Sequence, residues 1–344
     1  MYVIRSVRAE DLESLYDLSQ MALFINLPPD KSIIEKKINK SIKSFHLPSF
    51  HLYDNFYIFV LEDTSTGKVI GTSMIHSQHG NEEEPHFYLK VAQENKFSKS
   101  LNTGFIHGTL KLGIDTNGPT EIGGLILHPA YRNNKEKLGK FISFSRFLYM
   151  GMNPKRFKET ILSELMPPFD SNGNSPLWEA IGRRFLNMNY HDADILSREN
   201  KEFILSLYPS ETIYVTLLPT DARNAIGKVG ADTLPVKKML EHIGFKYVHE
   251  VDPFDGGPHY KVKLNDITLI SNLMNGNIIY DKNIKSEKIK PLLISNGDSK
   301  DFSAVRINAE IKKNGDLTNF HIDPKEGEML SLSNHFLTSA IHLS

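Results

Sequence analysis

The chain of 344 residues has no cysteine and a single tryptophan. The first absence removes disulfides, thiolate nucleophiles and thiolate zinc sites together, so any chemistry falls to oxygen and nitrogen groups. An excess of one charge is lacking too: 40 Lys and Arg stand against 41 Asp and Glu, a formal net charge of -1. That balance, spread along the chain, offers neither a basic groove for nucleic acid nor a patch for acidic lipid. No apolar run approaches the roughly 20 residues of a membrane helix. The opening segment carries Arg5, Arg8 and Glu10 and does not read as a leader. We therefore expect a soluble, cytoplasmic protein without nucleic-acid or membrane partners, formed as one large domain or a domain with an appendage.

What is present reads as alternating strands and helices. Tyr2-Val3-Ile4-Arg5 has strand alternation, and Asp11 to Ala22 places Leu12, Leu15, Leu18 and Met21 on one helical stripe. A second helix is predicted over Lys31 to Phe45, with Ile34, Ile38, Ile42 and Phe45 inward. Phe56–Glu62 and Lys68–His76, joined by Asp63-Thr64-Ser65-Thr66-Gly67, form a predicted hairpin. Thr120–Leu127 is a further strand, followed by a helix with Phe141, Phe144, Phe147 and Leu148. Phe157–Glu164 reads as a strand. Pro176–Leu186 reads as a helix capped by Ser175 with proline in its first turn. Lys237–Phe245 ends a helix in Gly-Phe, and Lys246–Val251 returns as a strand. The alternation predicts an α+β layer fold. After Asp266, turns at Asn275-Gly276-Asn277, Ser295-Asn296-Gly297-Asp298 and Lys313-Asn314-Gly315-Asp316 separate short apolar runs. We expect residues 266–344 to be a small β-rich C-terminal subdomain beside a domain of residues 1–265.

Several local features admit more than one role. Gly123-Gly124 fits a bulge that opens a strand gap, or glycines kept for packing. Arg132-Asn133-Asn134-Lys135-Glu136-Lys137-Leu138-Gly139-Lys140 is a basic loop suited to phosphate or to solvent. Glu164 at a strand end fits a general base or a structural ion pair. Asp252 and Asp255, before Gly256-Gly257, read first as residues capping a tight turn. Arg183 and Arg184 are neighbours on a helix and cannot form one clamp, so one is expected to pair with a carboxylate. Trp178 reads as core. His76-x-x-His79 has metal spacing but no evident third ligand, so a solvated pair and no metal site are expected. Gly139-Lys140-Phe141 lacks the remaining elements of a P-loop.

Ser175-Pro176-Leu177-Trp178-Glu179-Ala180-Ile181-Gly182-Arg183-Arg184-Phe185 and Val251-Asp252-Pro253-Phe254-Asp255-Gly256-Gly257-Pro258 resemble signatures of the arginine N-succinyltransferase family. The likeness continues in family order through Tyr2-Val3-Ile4-Arg5, Phe59-Val60-Leu61-Glu62-Asp63, Leu125-Ile126-Leu127, Ser145-Arg146-Phe147, Ala193-Asp194, Ile213-Tyr214 and Ala225-Ile226-Gly227, as far as about Asp266. It implies a GNAT-like acyl-CoA N-acyltransferase fold, a mixed sheet flanked by helices. It also implies succinyl transfer from succinyl-CoA to the α-amine of arginine, in arginine breakdown.

On that resemblance the strand Thr120–Leu127 offers backbone N–H groups at Gly124, Leu125, Ile126 and Leu127 to the pantetheine arm and thioester. Arg132, Gly139 and Lys140 lie in the pyrophosphate loop, which is two residues longer than usual and lacks its inner glycine. Glu164 and Glu121 match family carboxylates that can serve as base or hold the guanidinium. Other family positions are altered. The proton-transferring histidine is Gly230, two further histidines are Lys96 and Thr116, an arginine is Met166, and a Thr-Ser pair is Ile25-Asn26. The alternatives are another amine or acyl donor, or a catalytically silent subunit in a homo- or hetero-oligomer with a related chain.

Overall fold

The computed structural model describes residues 1–21, 27–197, 200–284, 286–314 and 317–343. The chain forms two compact units, the first of residues 1–77, 122–159 and 263–344, the second of 78–121 and 160–262. In chain order the strands begin with β1 (Tyr2–Ser6), β2 (Phe56–Asp63) and β3 (Lys68–His76), then the hairpin β4 (His86–Ser98) and β5 (Thr103–Asp115). There follow β6 (Thr120–Leu127), β7 (Thr160–Glu164), β8 (Ile213–Tyr214), β9 (Lys246–Val251) and β10 (Pro258–Lys263). The last five are β11 (Met274–Tyr280), β12 (Ile289–Ser295), β13 (Ser303–Asn314), β14 (Leu317–Ile322) and β15 (Leu337–His342). The first three α-helices are α1 (Leu12–Gln20), α2 (Lys31–His46) and α3 (Leu138–Met152).

In the first unit β1, β2, β3 and β6 lie side by side, with β1 and β2 antiparallel and β2 and β3 joined by the expected hairpin. Helices α1 and α2 bury Leu15, Leu18, Ile34 and Ile38 against Ile58, Val60 and Ile126. Two hydroxyls on α2, Ser41 and Ser44, accept hydrogen bonds from the backbone N–H groups of Ile58 and Phe56, which fixes the helix on β2. Helix α1 starts one residue later than the pattern suggested because Ala9–Asp11 form a short 3-10 turn before it, whose Asp11 carboxylate accepts from the Arg5 guanidinium at 2.7 and 2.8 Å. It ends at Gln20, which leaves Met21 exposed rather than on the inward stripe. The expected strand from Phe157 begins only at Thr160, since Pro154–Arg156 form a short 3-10 turn that Phe157 closes.

The β-rich character expected after Asp266 is present. Strands β12, β15, β11, β14 and β13 pair in that order, and β12 pairs back to β13, closing a five-stranded ring around Ile278, Leu292, Ile307, Phe320 and Ala340. Closure leaves no open edge in the ring. It belongs to the first unit, where β13 pairs with β1 at Val3 and Val305.

The second unit orders its strands β7, β10, β9, β4, β5 and β8. Its core joins Leu89 and Leu110 to Trp178, Ala193, Ala222 and Val251. Trp178 is fully buried and stacks on Phe254 at 4.8 Å, the core role expected of it. Ser175 caps the following helix by accepting from Trp178 N–H at 3.1 Å. The single helix expected over Pro176–Leu186 is instead two, α4 (Pro176–Ala180) and α5 (Gly182–Leu186), broken at Ile181. Any side chain on Gly182 would meet the Trp178 ring at 2.3 Å, so the break follows from seating the indole. The expected α+β architecture, a mixed sheet with flanking helices, is what the chain forms.

Candidate active site

In the first unit the site begins with β6. Gly124 adopts φ +56°, and an added Cβ would strike the Met74 sulfur at 2.6 Å, so glycine is required there. The strand is distorted at this point, and a buried arginine on α3 attends the distortion. Arg146 donates to Gly123 O at 3.3 Å, to Ser143 O at 3.1 Å and to Ser143 Oγ at 2.7 Å. Burial pushes its guanidinium down to about 9, so it remains charged at neutral pH. Of the residues expected to meet acyl-CoA, Ile126 turns its side chain into the core, while Leu125 and Leu127 are half-buried.

Beyond β6, Arg132 Nε donates to Leu127 O at 3.2 Å and ties the loop to the strand end. Asn133 and Lys137 take left-handed conformations, and no side chain caps the N-terminus of α3. Gly139 has only Leu127 Cδ2 near its missing Cβ, at 4.0 Å, so the first turn of α3 is open beside the strand. Lys140 is lowered by burial and by Lys137. An uncapped helix start with glycine and two lysines fits a pyrophosphate, because free amides and the helix dipole both favour negative charge.

The second unit holds a different kind of site. Glu164 ends β7, and Glu121 stands near the start of β6, where Glu121 and Leu162 are register partners on parallel strands. Around them converge His79 and two histidines not singled out in the sequence, His86 and His259. His79 Nδ1 lies 2.9 Å from Glu121 Oε2, so His79 is not the solvated ring that its spacing suggested. His76 contacts Tyr53 O at 3.0 Å in the first unit. His259 Nε2 lies 3.4 Å and His86 Nδ1 3.9 Å from the same oxygen of Glu164. The His86 and His259 rings stack at 5.3 Å, and His79 meets His86 edge-on at 4.8 Å.

Burial sets the electrostatics. Glu164 keeps 27% of its side chain exposed but is densely surrounded, and burial, then Glu121, Asp252 and Asp255, hold it well above the usual carboxylate range. His86 is driven well below the usual imidazole range by burial, then by His79 and His259, and so is neutral. Both ring nitrogens of His259 and Nε2 of His86 are buried without a hydrogen-bond partner among the described residues. Such groups cost on the order of 1–3 kcal/mol each when left unsatisfied, a cost that accumulates at functional sites.

The Asp252–Gly257 turn behaves as the sequence suggested. Asp252 Oδ1 accepts from Phe254 N–H and Asp255 N–H at 2.7 and 3.0 Å, Asp255 Oδ1 accepts from Gly257 N–H at 2.7 Å, and Gly256 has φ +80°. Arg183 pairs with Glu179 at 3.2 Å, the carboxylate partner expected for one of the two arginines. Where the resemblance placed a histidine, Gly230 donates to Met166 O at 2.8 Å, and a Cβ there would sit 2.9 Å from Pro167 O. Lys96 pairs with Glu94 on the exposed hairpin, and Thr116 is exposed. Ile25-Asn26 lies outside the described residues.

With this geometry in hand, comparison with known proteins is decisive: the family model described as arginine N-succinyltransferase beta subunit matches residues 2–269. The chain belongs to this family. The arginine N-succinyltransferase of Shigella dysenteriae serotype 1 (strain Sd197) is 34% identical over 275 residues, 78% of each chain. That of Yersinia pestis (strain Pestoides F) is 30% identical over 341 residues, covering 97% of this chain and 95% of that one. The solved arginine/ornithine succinyltransferase subunit AI from Pseudomonas aeruginosa superimposes with a TM-score of 0.84 at 25% identity, over 100% of this chain and 99% of the other. The likeness to these succinyltransferases therefore runs past Asp266 into the five-stranded ring. Among the described residues no helix is long and apolar enough to cross a membrane.

Proposed function

We propose that this chain transfers succinyl from succinyl-CoA to the α-amine of arginine, in arginine catabolism in the cytoplasm. The observation that carries this reading is family membership over residues 2–269. In it, the backbone of Gly124, Leu125, Ile126 and Leu127 receives the pantetheine arm and thioester carbonyl. Arg132, Gly139 and Lys140 receive the pyrophosphate at the start of α3. Residues 1–265 form the acyltransferase domain and 266–344 its β-rich extension.

Glu164 acts as general base and Glu121 supports it. The uncharged amine attacks the thioester carbonyl carbon, the C–N bond forms, the C–S bond breaks, and the amine proton passes to Glu164. A carboxylate held above its usual range is suited to this, because its proton affinity lies nearer that of the groups it serves. No metal enters the scheme.

A second reading, an N-acyltransferase with another amine or acyl donor, is favoured by Met166 and Gly230, which replace polar groups expected in the pocket. A buried polar group gained or lost shifts substrate preference by orders of magnitude. Release of coenzyme A from succinyl-, acetyl- and propionyl-CoA is measured with L-arginine, L-ornithine, other amines and an amine-free blank. The fastest turnover with succinyl-CoA and arginine supports the first reading, and a faster rival pair supports the second. No release by the isolated chain from any pair leaves the silent-subunit reading.

A further inference from the structure

The buried imidazole of His259 is placed where the chain has extra backbone. Strands β9 and β10 pair Val251 with Pro258 and then Tyr247 with Tyr260, so the three residues Val248, His249 and Glu250 on β9 oppose the single residue His259 on β10. Within the extra stretch His249 takes φ +57°. Bulges re-aim side chains, and this one sets Glu250 and His259 against each other. His259 is 0% exposed, with Nε2 at 3.4 Å from Glu164 and Nδ1 at 3.8 Å from Glu250, which Lys261 also pairs. His86 stacks on the ring.

We propose that His259 is a positioning residue for Glu164 and holds the transferred proton, with Glu250 orienting it. This deepens the acyltransferase reading and rests on it for its kinetic consequences. The arrangement is acid, imidazole, acid, the logic by which a carboxylate orients and stabilises an imidazolium. In the reaction the amine proton moves to Glu164 and on to His259 Nε2, the imidazolium being stabilised by Glu250 at Nδ1. The proton then returns through Glu164 to the departing thiolate sulfur. One proton leaves nitrogen and one reaches sulfur, so no further reactant is needed.

The distances are longer than hydrogen bonds, as catalytic contacts often are without substrate. Glu250 stays low although burial raises it, because His259 and Lys261 stand beside it. Asp252 is a further acidic neighbour, its carboxyl raised above the usual range by burial. A metal is the competing occupant of these groups. His79, His86 and Glu164 offer ligand atoms within 4.8 Å of one another, but His86 comes no closer to Glu164 than 3.9 Å. One tetrahedral ion with bonds of about 2.1 Å requires separations near 3.4 Å.

Two measurements test the proposal. Long-range proton–nitrogen correlation of the His259 ring follows its titration in the wild type and in Glu164→Gln. Coupled groups titrate in two steps, so the wild type is expected to show a step that follows Glu164 and the variant to lose it. The same single step in both overturns the proposal whether or not the chain turns over. Kinetically, His259→Asn and Glu250→Gln are expected to lower kcat by roughly 100-fold and about 10-fold with KM for arginine unchanged, the first loss being the usual scale for a proton-transfer group. Added imidazole should partly rescue His259→Gly. Raised KM with unchanged kcat, or no rescue in a folded variant, counts against it. Stoichiometric transition metal, whose chelation abolishes the coupled step, would also overturn it. A coupled titration in a chain that releases no coenzyme A would leave the triad standing and defeat the acyltransferase reading instead.

Discussion

Glu164 is the residue on which most depends, because its environment is set against its own charge. Burial disfavours the carboxylate, and Glu121, Asp252 and Asp255 add like charge. Glu164→Gln keeps size and hydrogen-bonding shape. We expect kcat to fall by roughly 100-fold with the fold intact if Glu164 is the base, whereas a raised KM alone would mark substrate binding. Unchanged kcat/KM beside an unchanged Tm would move the assignment to Glu121.

The same variant has a pH signature. A carboxylate raised in the folded state binds its proton more tightly there than when unfolded. Folding therefore loses stability as pH rises from the ordinary carboxylate range through the folded value, and loses nothing below it. Glu164→Gln should melt higher than the wild type near pH 8, and the gap should close by about pH 4. A gap that widens on acidification would contradict the direction assigned. Glu164 and Glu121 were legible because both match carboxylates of the family resemblance, Glu164 at a strand end and Glu121 on the strand Thr120–Leu127. His86 and His259 were not: each is a lone histidine directly after a proline at the start of a strand, and only the β9–β10 bulge and the neighbouring β4 bring them to Glu164.

At the scale of elements, β6 and α3 form one device. Gly124 bends the strand, Arg146 takes up the carbonyl of Gly123, and the open first turn of α3 follows ten residues after β6 ends. Gly124→Ala puts a Cβ into a left-handed conformation and 2.6 Å from the Met74 sulfur. The expected cost is about 1–3 kcal/mol, read as a lower Tm, together with weaker acyl-CoA binding measured by calorimetry. A variant as stable and as tight as the wild type would show that the bend is not needed. The strand, its glycines and the helix beyond it were readable from alternation and spacing. The break at Ile181 was not, since it arises from the bulk of Trp178 pressing on Gly182, a tertiary constraint invisible to helical periodicity. The start of α1 moved because a 3-10 turn over Ala9–Asp11 leads into it.

For the whole molecule, motif order along the chain identified the family before any contact was known, and the match over residues 2–269 agrees with it. Turn spacing after Asp266 revealed the β-rich character but not closure into a ring, because pairing of β12 with both β13 and β15 is a long-range choice. Nor did linear order reveal that the first unit is assembled from three separated segments. The central claim is that this chain by itself makes an amide from a succinyl thioester and the α-amine of arginine. The most direct measurement is the mass and fragmentation of the product formed by the purified chain with succinyl-CoA and L-arginine. A product bearing one succinyl group on the α-nitrogen, formed with one equivalent of free coenzyme A, is the predicted result. Unmodified arginine, or hydrolysis of succinyl-CoA without amide formation, would contradict it.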